Sequence, residues 1–232
     1  MILYFEKNTK GRDLIVGDIH GCFRKLQTVL DERGFNPDVD RLFSVGDLVD
    51  RGPDSDLSLE WLSKPWFHAV QGNHEDMAIR WGKPGCMMDA GNYMANGGGW
   101  NIANTFDKRA DFSFAFEALP VAIELETNEG IVVIIHASVP GTSWSKFKQD
   151  LMQSKDGPRW MEKYLRELAL WDRTRIQEGI TTPIDDVRAV VCGHTPLKKV
   201  IVLGNVHHID TAGWHPSGAG FTLYNAETLK AI

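Results

Sequence analysis

Cysteine is scarce in this chain, with three residues in 232, at Cys22, Cys86 and Cys192. The count is odd and no pair has Cys-x-x-Cys spacing, so neither a disulfide framework nor a zinc–thiolate site is implied. A reduced, cytoplasmic chain is the simplest expectation. Long apolar runs are also missing. No stretch approaches the roughly 20 residues of a membrane span. The opening Met1-Ile2-Leu3-Tyr4-Phe5-Glu6-Lys7 is too short an apolar run for a secretory leader. Positive charge is not in excess: 25 Lys and Arg face 31 Asp and Glu, a formal charge of −6. A surface that coats nucleic acid would be basic, so neither nucleic acid nor membrane is expected as a partner. No internal repeat, low-complexity tract or linker interrupts the chain, and nothing implies an obligate partner. A 43% hydrophobic content over this length can fill a sizeable core, which predicts a single domain over residues 1–232.

Against these absences stand three short, nearly evenly spaced motifs. They read Gly17-Asp18-Ile19-His20-Gly21, Gly46-Asp47-Leu48-Val49-Asp50-Arg51-Gly52 and Gly72-Asn73-His74-Glu75. Each follows a short apolar stretch: Leu14 to Val16, Arg41 to Val45 and His68 to Gln71. Helical spacing follows from Phe23 to Leu30, from an N-cap at Asp54 or Ser55 through Trp61 or Leu62, and from about Glu75 to Trp81. This strand–loop–helix rhythm predicts a parallel or mixed sheet with helices on its faces, its loops at the carboxyl ends of the strands. A Gly-, Asn-, Met- and Trp-rich stretch from Gly85 to Asp111 reads as an irregular helical insertion, spanning about residues 82–118. From Val121 the pattern turns β-rich. Val121 to Glu126 and Ile131 to Ile135 flank a hairpin signal at Asn128-Glu129-Gly130. Ser143 to Trp171 is helix and loop. Strands follow at Ala189 to Cys192, Val200 to Leu203, Val206 to Ile209 and Phe221 to Tyr224, with Gly204-Asn205 as a tight turn. The expected fold is α/β: a mixed β-sandwich core flanked by helices.

The polar residues at the strand ends form a set. Asp18 and His20 sit two apart in an extended loop and so can face one point. Asp47 and Asn73 end the next two strands, His136 ends Val132-Val133-Ile134-Ile135, and His194 follows Val190-Val191-Cys192-Gly193. Any one of these residues alone is ordinary turn or core chemistry. Six ligand-type side chains ending five strands, nearly all flanked by glycine, are not. Mixed carboxylate, imidazole and amide donors suit Mn, Fe or Zn rather than the all-oxygen cage of calcium. Six exceed one tetrahedral site and fit two ions sharing Asp47. His207 and His208 alternate along a strand, so at most one faces the site. His68 reads as a strand residue with a satisfied ring. His215, in a Gly-rich loop, is a candidate to approach the site. Cys22 and Cys192 read as packing.

These motifs resemble the signature of the calcineurin-like metallophosphoesterases. Gly97-Gly98-Gly99-Trp100, Leu170-Trp171-Asp172-Arg173, Gly193-His194-Thr195-Pro196 and Ile209-Asp210-Thr211 narrow the likeness. They are similar to the phosphoprotein phosphatase branch that includes the bacteriophage lambda enzyme and its bacterial relatives. The resemblance implies two divalent transition metal ions, Mn²⁺ foremost, with Fe or Zn as alternatives. Asp18, His20 and Asp47 would hold one ion; Asp47, Asn73, His136 and His194 would hold the other. A hydroxide bridging them would attack phosphorus in line. Arg51, Asn73 and Arg173 would bind the phosphate, His74 would protonate the leaving oxygen, and Asp50 would hold that imidazole. Glu75 would support the helix start or orient its neighbours. The implied activity is a metal-dependent Ser/Thr protein phosphatase acting on phosphorylated proteins or peptides, with phosphotyrosine as a further substrate class. The alternative is a symmetrical diadenosine tetraphosphatase or another small-molecule phosphoesterase. That group typically carries Ala where Asp50 stands and Asp where Glu75 stands. A catalytically silent metal-binding protein would usually have lost a ligand or the acid, and none is missing. Two departures, Asp210-Thr211-Ala212-Gly213 for Asp-Thr-Gly-Ala and His136-Ala137-Ser138 for His-Ala-Asp, put the shape of the substrate loops in question.

Overall fold

The computed structural model describes residues 1–85 and 88–232. Cys86, and with it the expectation of a reduced thiol there, lies outside the described residues. The chain opens with β1 (Ile2–Phe5), a strand that the sequence pattern does not single out. Its order comes from parallel pairing with residues 122–125, far along the chain, which no local pattern reveals. The next three strands fall where the apolar runs place them: β2 (Asp13–Val16), β3 (Arg41–Ser44) and β4 (Phe67–Ala69), paired in parallel. After β2, α1 (Phe23–Glu32) buries Phe23, Leu26 and Leu30, a one-sided helical stripe. The helix expected from Asp54 or Ser55 starts differently. A 3₁₀ turn, Ser55–Leu57, precedes α2 (Ser58–Leu62), and the Asp54 side chain caps neither. Its carboxylate instead accepts the Arg24 backbone N–H at 3.2 Å and pairs with the Arg24 guanidinium. A charged partner from another element outcompetes the local cap. α3 (Asn73–Gly82) begins earlier than expected because Glu75 closes its first turn, accepting the Gly72 N–H at 2.8 Å.

The Gly- and Trp-rich stretch holds α4 (Ala90–Ala95), α5 (Gly99–Ile102) and α6 (Phe106–Glu117). β5 (Ala122–Thr127) and β6 (Gly130–Ile135) form the expected antiparallel hairpin, turning at Asn128-Glu129. α7 (Trp144–Gln153), α8 (Arg159–Trp171) and a short α9 (Thr174–Glu178) come next. β7 (Ala189–Cys192) is buried along its whole length, as a central parallel strand should be. β8 (Ile201–Leu203) and β9 (Val206–His208) pair across Gly204-Asn205. β10 (Leu223–Asn225) is the expected late strand, and β11 (Lys230–Ala231) extends beyond it.

Two sheets result, ordered β1-β5-β6-β7-β9-β8 and β11-β10-β2-β3-β4. Between them lies an apolar layer from both: Ile15, Phe43, Val45 and Val70 against Ile123, Leu125, Val132, Ile134, Ala189 and Val191. A second cluster seats α1, α2, α3 and α6 on the outer face of the five-stranded sheet. A third seats α7 and α8 on the six-stranded one. The molecule is therefore the expected β-sandwich with helices outside both sheets. No helix among the described residues is long and apolar enough to cross a membrane.

Candidate metal centre and acid pair

All six strand-end residues converge at one edge of the sandwich, just past β2, β3, β4, β6 and β7. Each histidine is oriented by a backbone carbonyl on one ring nitrogen. His20 Nδ1 lies 3.0 Å from Val49 O, His136 Nδ1 2.8 Å from Val45 O, and His194 Nε2 3.1 Å from Trp171 O. A carbonyl only accepts, so these nitrogens carry the N–H and the opposite nitrogens are bare. Burial keeps the rings neutral. It pushes His20 well below the ordinary imidazole range, lowers His136, and brings His194 to about 3.

The bare nitrogens point at other acceptors. His136 Nε2 lies 2.8 Å from Asn73 Oδ1, 3.2 Å from His194 Nδ1 and 3.3 Å from Asp47 Oδ1. His194 Nδ1 lies 2.9 Å from the same Asn73 oxygen. Four lone-pair atoms thus face one another, an arrangement that a cation satisfies. On the other side of Asp47, His20 Nε2 lies 3.5 Å from Asp47 Oδ2 and 3.9 Å from Asp18 Oδ2. Both Asp18 oxygens accept the His194 backbone N–H, at 3.0 and 3.2 Å. The donors therefore divide into two pockets that share Asp47. Burial, reinforced by Asp210 and Asp47, pushes the Asp18 carboxyl well above its usual range, and burial raises Asp210 to about 6. Positive charge bound here would relieve that repulsion, so the residues present fit two divalent cations.

Next to the pockets lies a hydrogen-bonded histidine–aspartate pair. His74 Nδ1 donates to Asp50 Oδ2 at 2.6 Å, leaving Nε2 facing the centre 3.8 Å from Asp47 Oδ2. By distance His74 also groups with His20 and Asp47 as a metal-type trio; it differs from the other three histidines in tying Nδ1 to a carboxylate rather than to a backbone carbonyl. Arg51 reaches across the mouth, donating to His20 Nε2 at 2.7 Å and His74 Nε2 at 3.2 Å. Arg173, from the start of α9, donates to His194 O at 3.0 Å on the opposite side. Both guanidiniums are exposed and can turn toward a phosphate. Asp47, Asp50 and Arg51 have φ of 51°, 72° and 69°, left-handed conformations rare for such residues.

Glu75 explains how that loop is held. Its buried carboxylate accepts four backbone N–H groups: Asp47 at 2.9 Å, Leu48 at 2.8 Å, Val49 at 3.3 Å and Gly72 at 2.8 Å. It orients its neighbours, as the sequence reading has it, and does so for the residue shared by both pockets. Burial and the nearby Asp47 and Asp50 charges still push its carboxyl up to about 8.

Several histidines stay outside. His207 and His208 point to opposite faces of β9, bonding the Tyr224 hydroxyl at 2.7 Å and Cys192 Sγ at 3.2 Å. His68 is tilted against Phe5 and Phe43 rather than hydrogen-bonded, and burial lowers it to about 4. His215 is exposed and accepts from Ser217. Its neighbour reaches the centre instead: the Trp214 ring stacks 4.4 Å from the Arg51 guanidinium and edge-on to His20 at 4.7 Å. The sequence reading also missed Trp100, whose indole Nε1 donates to Asp50 Oδ1 at 2.6 Å, and Asp210 beside Asp18. All three lie in or next to the motifs that carried the resemblance, but their roles depend on contacts across the chain. Ala212, one of the departures, keeps a left-handed φ of 55° without a glycine, and its N–H bonds Asp210 Oδ1 at 2.8 Å.

The family model for calcineurin-like phosphoesterases matches residues 12–198. The chain is 35% identical over 202 residues to serine/threonine-protein phosphatase 1 of Salmonella typhimurium, covering 85% of this chain and 84% of that one. It is 32% identical over 217 residues to serine/threonine-protein phosphatase 2 of Escherichia coli, covering 90% of each. A symmetrical bis(5'-nucleosyl)-tetraphosphatase of Erwinia tasmaniensis is 58% identical, but over 63 residues, 26% of this chain and 23% of that one. Two solved structures, a candidate diadenosine tetraphosphatase and a cold-active protein tyrosine phosphatase, superpose with TM-scores of 0.65. At 19% and 17% identity they cover all of this chain and 96% and 77% of their own, and they speak to the fold alone. With its motifs, its two-sheet architecture and near full-length relatives in agreement, the chain belongs to the calcineurin-like phosphoesterase family.

Proposed function

We propose that this chain is a metal-dependent phosphoprotein phosphatase that hydrolyses phosphoserine and phosphothreonine esters, with phosphotyrosine as a further substrate class. Asp18, His20 and Asp47 would hold one divalent cation; Asp47, Asn73, His136 and His194 would hold the other, with Mn²⁺ our preferred occupant. Bound there, two such cations would lower the pKa of water toward neutrality and neutralise phosphoryl charge. The chain's own residues do the rest. Arg51 and Arg173 clamp the phosphate from opposite sides, with Asn73 beside it, and the buried walls exclude bulk water. Once Arg51 has turned from His74 to the phosphate, Nε2 is free to carry a proton to the leaving oxygen while Asp50 fixes the ring through Nδ1.

The observation that carries this reading is the 2.6 Å contact between Asp50 and His74 beside the paired pockets. A serine alkoxide is about as basic as hydroxide, whose conjugate acid has a pKa of about 15.7. A phenolate leaves from an acid of about 10 and needs less help. A held imidazole acid therefore suits an alkyl phosphate. The near full-length likeness to proteins named Ser/Thr phosphatases supports the same substrate class, whereas the sequence likeness to the tetraphosphatase covers 63 residues, 26% of this chain. We further read the chain as one domain of the cytoplasm, where the buried free thiols of Cys22 and Cys192 stay reduced, with no nucleic-acid partner. The test is a Mn²⁺-supplemented panel of phosphoserine peptide, phosphotyrosine peptide and diadenosine tetraphosphate. Turnover of the phosphoserine peptide above the dinucleotide is expected; the reverse order overturns the reading.

A further inference from the structure

The two oxygens of Asp50 have separate partners. Oδ2 accepts from His74, and Oδ1 accepts from the indole Nε1 of Trp100 at 2.6 Å. Trp100 lies in α5, fifty residues further on and outside both sheets. An indole N–H can only donate, so it cannot trade places with the imidazole. Charge-assisted bonds to both oxygens fix the rotation of the carboxylate and, through it, the plane of the His74 ring. The Ser55 hydroxyl fixes the same residue from behind, accepting the Asp50 backbone N–H at 2.9 Å.

Trp100 is itself anchored. Its ring meets the fully buried Phe112 of α6 edge-on at 4.8 Å and 90°. The preceding Gly97 carbonyl accepts the Arg51 backbone N–H at 3.3 Å. Gly97 has φ of 96°, and a Cβ there would lie 2.5 Å from Arg51 N, so the close approach depends on glycine. The Gly97-Gly98-Gly99-Trp100 run thus clasps Asp50 by its side chain and Arg51 by its backbone. A tryptophan serving only the core would need the ring but not the N–H.

We propose that Trp100 is a positioning residue for proton delivery, holding Asp50 so that His74 Nε2 faces the leaving oxygen. The inference rests on the phosphatase reading above. Trp100→Phe keeps a ring against Phe112 and removes the N–H; Trp100→His keeps a ring N–H. Each is compared with wild type, His74→Asn and the His74→Asn/Trp100→Phe double variant, using a phosphoserine peptide and para-nitrophenyl phosphate at saturating Mn²⁺. Trp100→Phe is expected to lower kcat on the peptide roughly 10–30-fold, below the ~10²–10⁴ ceiling of a whole general acid. KM should stay within about 2-fold and aryl phosphate turnover within about 3-fold, because the N–H acts on the leaving-group step alone. Trp100→His should recover part of the peptide turnover. In the His74→Asn background the Phe change should cost less than about 2-fold, since residues acting as one unit are not additive. Equal losses on both substrates, or a full further loss in the double variant, overturn the role of Trp100 while leaving the phosphatase reading intact. Wild-type protein that turns over neither substrate overturns both.

Discussion

The centre is assembled from two kinds of structure. On the strand side, six side chains from five strand ends turn lone pairs toward common points, with ring nitrogens tied to carbonyls of the backbone. On the helical side, the described segment from Met88 to Glu117 reaches the centre through the Trp100 indole N–H and the Gly97 carbonyl, with the buried Tyr93 hydroxyl also against Asp50. The strand side is fixed by main-chain carbonyls: Val45 and Val49 in the loop after β3, and Trp171 at the end of α8. The helical side is fixed by side-chain contacts in a separate apolar layer. On the reading proposed above, charge capture belongs to the strand ends, while the aim of the proton donor depends on how the helices dock against them.

That contrast can be strained from the strand side first. Asp47→Asn removes charge from the residue shared by both pockets. Turnover of phosphoserine peptide and aryl phosphate should fall together, roughly 10²–10³-fold. A loss confined to the peptide would move Asp47 to the acid side of the comparison. Glu75→Gln comes next. It sets an amide against four backbone donors and costs about 2–3 kcal/mol. Thermal unfolding should drop by roughly 4–12 °C, with weakened Mn²⁺ binding because the Asp47 loop loses its anchor. An unchanged Tm would mean the loop is held by something else. The smallest expected effect has the opposite sign. Ala212→Gly relieves a left-handed residue but loosens the unfolded chain, a net gain of about 0.5 kcal/mol. Calorimetry should record a rise of roughly 1–2 °C with catalysis unchanged.

Legibility from sequence follows the same division. Asp18, His20, Asp47, Asn73, His136 and His194 each end a short apolar run, so a local pattern places them at strand termini and the parallel topology brings them together. Glu75 was readable as an orienter because its helix-start position is local. Trp100 was visible only as part of a motif, since its bond to Asp50 spans fifty residues and a helical segment of weak periodicity. Trp214 lay hidden behind His215, the more chemically suggestive neighbour. In the fold, β1 goes unread and the Asp54 side chain is misread for one reason: each is decided by a distant partner, β5 in one case and Arg24 in the other. The sandwich itself was legible because alternation and run length survive without knowing which strands pair.

The division into two pockets sharing Asp47 is the claim on which the rest depends, and metal stoichiometry reaches it without any assay of turnover. Isothermal titration of Mn²⁺ into metal-stripped protein should give two sites per chain. His136→Ala should lose one and retain the site of Asp18, His20 and Asp47. A single site in the wild-type protein, or two in the His136 variant, would contradict the account.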